Sequence, residues 1–253
     1  MGLLKENDWR FILTMRILVT NDDGIYAGGL IRLAEAALKF GEVWVVAPDS
    51  ERSAASHSVT LRHPLDVYPI TDFPVKGVKA FSCSGMPVDC VRVGGLNVMP
   101  SRPDLVLSGI NKGYNLAADI QYSATAGAAF EGTFQGYHSI AVSEGFDGPY
   151  EVTDRYLVEI LEKLIDTPLP PGHIHNVNFP QCKLSECKGI LWDRTVSPNM
   201  YYEDSYNAIE KLENDGVRYM IHGTPRPIAE EGSDFRAILD NYVSVGIVNN
   251  IGY

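Results

Sequence analysis

The chain has 253 residues, 45% of them hydrophobic, and a net charge of −11. That length and apolar content give a sizeable core, and the acidic balance excludes a non-specific nucleic-acid binder, which needs a basic face. No apolar run approaches the ~20 residues of a membrane span.

Residues 1–14 carry Lys5, Glu6, Asp8 and Arg10 instead of the apolar run of a signal peptide. They read as an N-terminal extension, with Met15 an alternative start. Arg16–Thr20 is an apolar strand that stops abruptly at Asn21, the adjacent carboxylates Asp22 and Asp23, and Gly24. Gly29–Phe40 then reads as a helix with Gly41 as its stop. Val43–Ala47 is a β-branched and aromatic run, hence a buried parallel strand, and Pro48 ends it. A polar loop, 49–58, follows. Residues 59–82 alternate weakly among prolines, which predicts short edge strands. Cys83 and Cys90 read as packed thiols. With Cys182 and Cys187 they show no Cys-x-x-Cys spacing, so free thiols in a reducing cytoplasm are expected.

Pro87–Val98 predicts a helix and Asp104–Ser108 another buried strand, ended by Gly109–Gly113. Ala124–Tyr137 predicts a helix of small residues suited to close packing, and Ser139–Ser143 a further strand. Val152–Ile165 has helical periodicity in Tyr156, Leu157, Ile160, Leu161 and Leu164. His173 and His175 have strand spacing and read as a strand entry rather than as metal ligands. This alternation predicts an α/β core over residues 15–182: a doubly wound, mostly parallel, Rossmann-like sheet. Residues 183–234 are polar and tyrosine-rich and predict a β-rich hairpin arm used in oligomerisation. Tyr201, Tyr202 and Tyr206 there would stack a base or cover an interface, and the interface is preferred. Residues 235–253 are expected to form a C-terminal helix, from about Asp234 to Asn241, and a final strand, Tyr242–Val248.

The chemistry is expected where three loops follow three parallel strands, because open α/β sheets bind ligands at the carboxyl ends of their strands. Asp22 and Asp23 repel each other unless a cation lies between them. Ser53 adds a hydroxyl and Asn111 an amide carbonyl. That all-oxygen set suits Mg²⁺, Mn²⁺ or Ca²⁺ rather than zinc. Ser123 is a predicted N-cap, so Ser123, Ala124 and Thr125 open a helix whose free amides make an anion site facing the metal. Asn21, Gly109 and Lys112 are further expected substrate contacts. Taken alone, each feature has a plainer reading: Asp22–Gly24 as a capping turn, Ser53 as a loop serine, Asn111 as a left-handed turn residue. His57 suits proton transfer, but a supporting role behind the metal is preferred.

Val19-Thr-Asn-Asp-Asp-Gly24, Val46-Ala-Pro-Asp49, Glu51-Arg-Ser53 and Ser56-His-Ser58 occur in that order. Ser84-Gly-Met-Pro-Val-Asp-Cys-Val91, Ser108-Gly-Ile-Asn-Lys-Gly-Tyr-Asn115 and Tyr122-Ser-Ala-Thr-Ala-Gly-Ala-Ala-Phe-Glu-Gly132 follow. Together they resemble the SurE family of metal-dependent 5′(3′)-nucleotidases, strongly over residues 15–145 and more weakly at Gly232–Val245. The resemblance implies one divalent cation, Mg²⁺ or Mn²⁺, on Asp22, Asp23, Ser53 and Asn111, with Asp22, Asp23 and Asn111 serving catalysis. It implies hydrolysis of nucleoside monophosphates, with exopolyphosphatase activity in some members. It also implies a homodimer or homotetramer with exchanged C-terminal segments. The family usually has glycine where this chain has Ala124, so tuning of the anion site is expected. The chain also stops soon after its last strand, where some relatives continue, which bears on the exchange of segments. The adjacent aspartates favour attack by water over an aspartyl nucleophile. The rival readings are a non-catalytic nucleotide-binding module and a phosphatase of another small substrate. The first strand–helix turn lacks Gly-x-Gly-x-x-Gly, which argues against a dinucleotide-dependent oxidoreductase.

Overall fold

The computed structural model describes residues 15–249 and Ile251. The expected N-terminal extension, 1–14, lies outside the described residues. The elements in order are β1 (Met15–Thr20), α1 (Gly28–Ala37), β2 (Gly41–Pro48), β3 (Val67–Ile70), β4 (Lys79–Cys83), α2 (Pro87–Val93), β5 (Leu105–Lys112) and α3 (Ala124–Phe134). There follow β6 (His138–Glu144), α4 (Glu151–Ile165), β7 (His173–Phe179), β8 (Ile190–Leu191), β9 (Tyr202–Lys211), β10 (Val217–Pro225), α5 (Asp234–Leu239) and β11 (Val243–Asn249).

Nine strands form one sheet in the order β3-β4-β2-β1-β5-β6-β7-β11-β8. From β4 to β7 every neighbouring pair is parallel. β3 is antiparallel to β4 and β11 to β7. The chain builds outward from β1 through β2 to β4, then returns to β5 on the other side of β1. The strand order therefore reverses between β1 and β5, and a crevice opens at such a point.

Alternation along β1 shows why helices cover both faces. Ile17 and Val19 pack with Leu30 and Leu33 of α1 and Ile160 and Leu161 of α4. Leu18 points the other way, into a cluster with Cys90 and Val91 of α2 and Ala128 of α3. Both faces are buried, so the strand reads as an unbroken apolar run. α3 lies close to the sheet because its residues are small. A Cβ on Gly132 would lie 2.4 Å from the Ser139 hydroxyl and 3.1 Å from Val106.

Several boundaries differ from the sequence reading. α1 ends at Ala37, and Leu38–Phe40 close in turns onto Ala34, Ala36 and Ala37, so Gly41 opens β2 instead of stopping the helix. The predicted helix over 87–98 is α-helical to Val93 and then a π-turn, Gly94–Val98. Gly94 there sits against Leu18 and Gly95 against Tyr137, where a Cβ would be 3.0 Å from the leucine methyls and 2.9 Å from the tyrosine hydroxyl. α3 ends at Phe134, short of Tyr137. β5 does not stop at Ser108. It runs on to Lys112 through a register shift between Ser108 and Asn111, with Gly109 at φ +136.

β9 and β10 form a separate two-stranded hairpin, exposed along its whole length. The preceding and following chain returns to the body. The Asp234 carboxylate accepts the Ala117, Ser197 and Phe235 N–H groups. Asp119 accepts those of Tyr201 and Tyr202 at the hairpin's base. Cys83, Cys90, Cys182 and Cys187 are all free. Among the described residues no helix is long and apolar enough to cross a membrane.

Candidate metal and phosphate site

β1 delivers Asn21 and Asp22 into the crevice beside β5. Asn21 is fully buried. Its amide donates to the Gly24 carbonyl at 3.0 Å, while its side-chain oxygen has no hydrogen-bond partner among the described residues. Gly24, at φ +104, turns the chain back toward β2, where the Ile25 N–H meets the Pro48 carbonyl at 2.8 Å. Asp22 is only 4% exposed. Its Oδ1 accepts the Thr125 hydroxyl at 2.6 Å. Burial pushes its carboxyl up to about 7 against the pull of that hydrogen bond, and the negative neighbours Asp23 and Glu51 add to the rise. Asp23, less buried, is also raised by burial and by Glu51, opposed by the backbone and charge of Lys112.

Hydrogen bonds tie the other segments to this turn. The Arg52 N–H donates to the Asp22 carbonyl at 2.7 Å, which fixes the loop carrying Ser53. The Lys112 N–H donates to Asp23 Oδ2 at 3.3 Å, which fixes the end of β5 carrying Asn111. Thr125, at the start of α3, completes the set. Sequence-distant stretches thus meet around Asp22 and Asp23 through named bonds.

The donors are oriented differently from one another. Asn111 Nδ2 donates to the Gly113 carbonyl at 2.9 Å, which leaves its Oδ1 out of that bond. Ser53 is exposed and donates its hydroxyl to Glu51 at 2.7 Å, so its oxygen retains lone pairs. Ser123 caps α3, accepting the Ala126 N–H at 2.9 Å. Ala124 and Thr125 are fully buried. Thr125, expected at a phosphate, donates its hydroxyl to Asp22. Gly109 is buried in the sheet, where a Cβ would lie 2.2 Å from the Val142 carbonyl. The Lys112 ammonium sits 4.3 Å from the centroid of the Phe146 ring. Beside Asp23 a cavity of about 330 Å³ opens between α1 and β5, lined by Gly28, Arg32, Lys112, Glu144 and Tyr150 among others.

Sequence reasoning gave no role to Glu131, which the structure buries at 3% exposure in contact with His57. Its signal was present: it is the one charged residue in a helix of otherwise small and apolar side chains.

Among the described residues no group of three or more His, Cys, Asp or Glu is placed to hold a metal. The donor set here is of another kind: two carboxylates, with a hydroxyl and amide oxygens nearby. Among the described residues neither carboxylate forms a salt bridge. A buried carboxylate must be neutralised or paired. Asp22 next to Asp23, with an unpartnered Asn21 oxygen alongside, fits a hard divalent cation in its donor chemistry.

Fold and site define a class: a doubly wound α/β protein with hard oxygen donors at its topological switch point. Residues 17–202 match the family described as Survival protein SurE. The chain is 38% identical over 241 residues to a 5′-nucleotidase SurE of Mesorhizobium japonicum, covering 91% of this chain and 92% of that one. It is 41% identical over 235 residues to 5′-nucleotidase SurE 1 of Thermus thermophilus, covering 91% and 90%. The crystal structure of the SurE protein from Aquifex aeolicus superposes with a TM-score of 0.77 at 34% identity, covering 92% of this chain and 93% of that one. The chain belongs to the SurE family.

Proposed function

We propose that this protein is a divalent-metal-dependent 5′-nucleotidase that hydrolyses nucleoside monophosphates. The observation that carries the reading is the buried Asp22 carboxylate. It stands beside Asp23 at the β1–β5 crevice, with Thr125 as its hydrogen-bond donor and, among the described residues, no salt-bridge partner. The family membership and the names of the relatives point to the same activity.

Asp22, Asp23, Ser53 and Asn111 are the residues that would hold the cation, Mg²⁺ or Mn²⁺. A bound dication supplies Lewis acidity toward a phosphoryl oxygen and acidifies water. The protein's part is positioning. Thr125 fixes the Asp22 carboxylate, and the Arg52 and Lys112 amides fix the loops on either side. The amides that open α3 present positive ends of peptide dipoles to the phosphate's oxygens. Asn111 and Lys112 close the other flank. The cavity beside Asp23 has room for part of a small substrate. Water attacks phosphorus in line as the bond to the nucleoside 5′ oxygen breaks; a proton from the water ends on that oxygen, giving nucleoside and inorganic phosphate, and the single displacement inverts the configuration at phosphorus. Activity on 3′-nucleotides and on polyphosphate belongs to the same reading. So do a cytoplasmic setting and a homodimer or homotetramer with exchanged C-terminal segments.

The test is phosphate release from AMP and GMP with Mg²⁺ or Mn²⁺, by wild type and Asp22→Asn in parallel, then with chelator. Wild type releases phosphate and chelator stops it. Asp22→Asn loses at least about 100-fold, as expected for a group that organises charge in the transition state. No release by wild type, as from a binding module, contradicts the proposal, and so does full activity in Asp22→Asn.

A further inference from the structure

A second charge cluster, centred on the buried Glu131, lies against the loop that carries Ser53. Glu131 Oε2 meets His57 Nε2 at 3.1 Å. Its Oε1 accepts Arg92 Nε and Gln135 Nε2, both at 2.8 Å. Burial pushes the Glu131 carboxyl up, but the His57, Arg92 and Gln135 hydrogen bonds outweigh it and bring it to about 2. An ionised carboxylate can only accept, so the His57 nitrogen facing it carries the proton.

The loop that His57 closes is under backbone strain. Ala54 and Ser56 have φ of 56 and 53, left-handed values that residues bearing a side chain rarely adopt. Such a path persists only where its surroundings fix it. Here the loop is held at Asp22 by the Arg52 N–H, and at Tyr122 by the Ser56 N–H at 3.0 Å. It is also held at α3. The His57 ring stacks on Phe134 with centroids 5.6 Å apart. A Cβ on Gly127 would lie 2.4 Å from the Ser56 carbonyl, so helix and loop backbone touch directly. Ser53 lies between the first of these anchors and the rest. α3 therefore holds both the turn after β1 and the loop after β2, through Thr125 to Asp22 and through Glu131 to His57.

We infer that Glu131 is a positioning residue: through His57 it clamps the strained loop 52–58 onto α3 and so holds Ser53 toward Asp22. The inference rests on the proposed metal site. It is tested on Glu131→Gln and on the more exposed His57→Gln, which removes less buried structure. Amide hydrogen exchange in loop 52–58 is read on metal-free protein, and Mn²⁺ affinity by electron paramagnetic resonance. Both variants should exchange faster in 52–58 than wild type and bind Mn²⁺ about tenfold more weakly, a usual loss when an outer partner of a ligand is removed. The double variant should be no worse than either single one. Ser53→Ala should bind Mn²⁺ more weakly with loop exchange unchanged. Unchanged loop exchange in both Glu131→Gln and His57→Gln overturns the clamp. Faster exchange with unaltered Mn²⁺ affinity overturns its link to Ser53. Mn²⁺ binding by Asp22→Asn equal to wild type overturns the site reading itself.

Discussion

At the scale of single residues, the site is a problem of burying negative charge. Asp22 sits next to Asp23 with the Thr125 hydroxyl as its donor. Removing that hydroxyl without changing shape isolates its contribution. Thr125→Val should leave the fold intact and weaken Mn²⁺ binding by about tenfold, the scale of a lost outer hydrogen bond to a metal ligand. Calorimetric titration of Mn²⁺ into both proteins measures this, and equal affinities would assign Thr125 to packing alone. Asp22, Asp23, Ser53 and Asn111 stand out in the sequence as hard oxygen donors at or after the ends of strand-like runs, Ser53 only in the company of the others. The partners of Thr125 and Glu131 were not. Thr125 reaches across 103 positions to Asp22 and His57 across 74 to Glu131, and no local pattern encodes such pairings.

At the scale of elements, apolar runs gave the central strands and helical periodicity gave α4. What escaped was decided by contacts between elements. The π-turn after α2 follows from Gly94 and Gly95 lying against Leu18 and Tyr137. The extension of β5 to Lys112 depends on Gly109 passing close to β6. The placing of β11 between β7 and β8, antiparallel to β7, depends on strand order, which periodicity does not carry. The β9–β10 hairpin was expected from composition, and its surface says more. Tyr206 pairs with Ile221 and Ala208 with Tyr219, so Tyr206, Ile221 and Tyr219 share one face, and all three are exposed. A lone two-stranded ribbon is marginally stable in water. A second copy of the chain covering this face would supply the missing burial. Light scattering should give wild type an oligomer's mass and Ile221→Asp with Tyr219→Asp a monomer's. A monomeric wild type at micromolar concentration contradicts that role for the hairpin.

At the scale of the whole molecule, buried ionisable groups away from the crevice set the acid limit of stability. His175 is 1% exposed, and burial lowers it from 6.5 to about 4, with the Thr167 carbonyl opposing and His138 adding to the fall. The unfolded chain takes up this proton below pH 6.5, but the folded chain does not until about 4. The stabilisation is therefore complete above pH 6.5 and is lost as pH falls through 4, on the order of 3 kcal/mol at most. Glu131 acts in the same direction lower down, between its ordinary 4.5 and about 2. Urea midpoints at pH 7, 5.5 and 4.5 should fall steeply in wild type and less in His175→Gln. Parallel curves for the two proteins would remove His175 from the account.

The central claim is that one cation joins the turn after β1, the Ser53 loop and the end of β5. Anomalous diffraction from a crystal soaked in Mn²⁺ tests it most directly. One strong peak per chain is expected within about 2.0–2.6 Å of oxygens from Asp22, Asp23, Ser53 and Asn111. A peak elsewhere, or one that touches neither Asp22 nor Asp23, would contradict it.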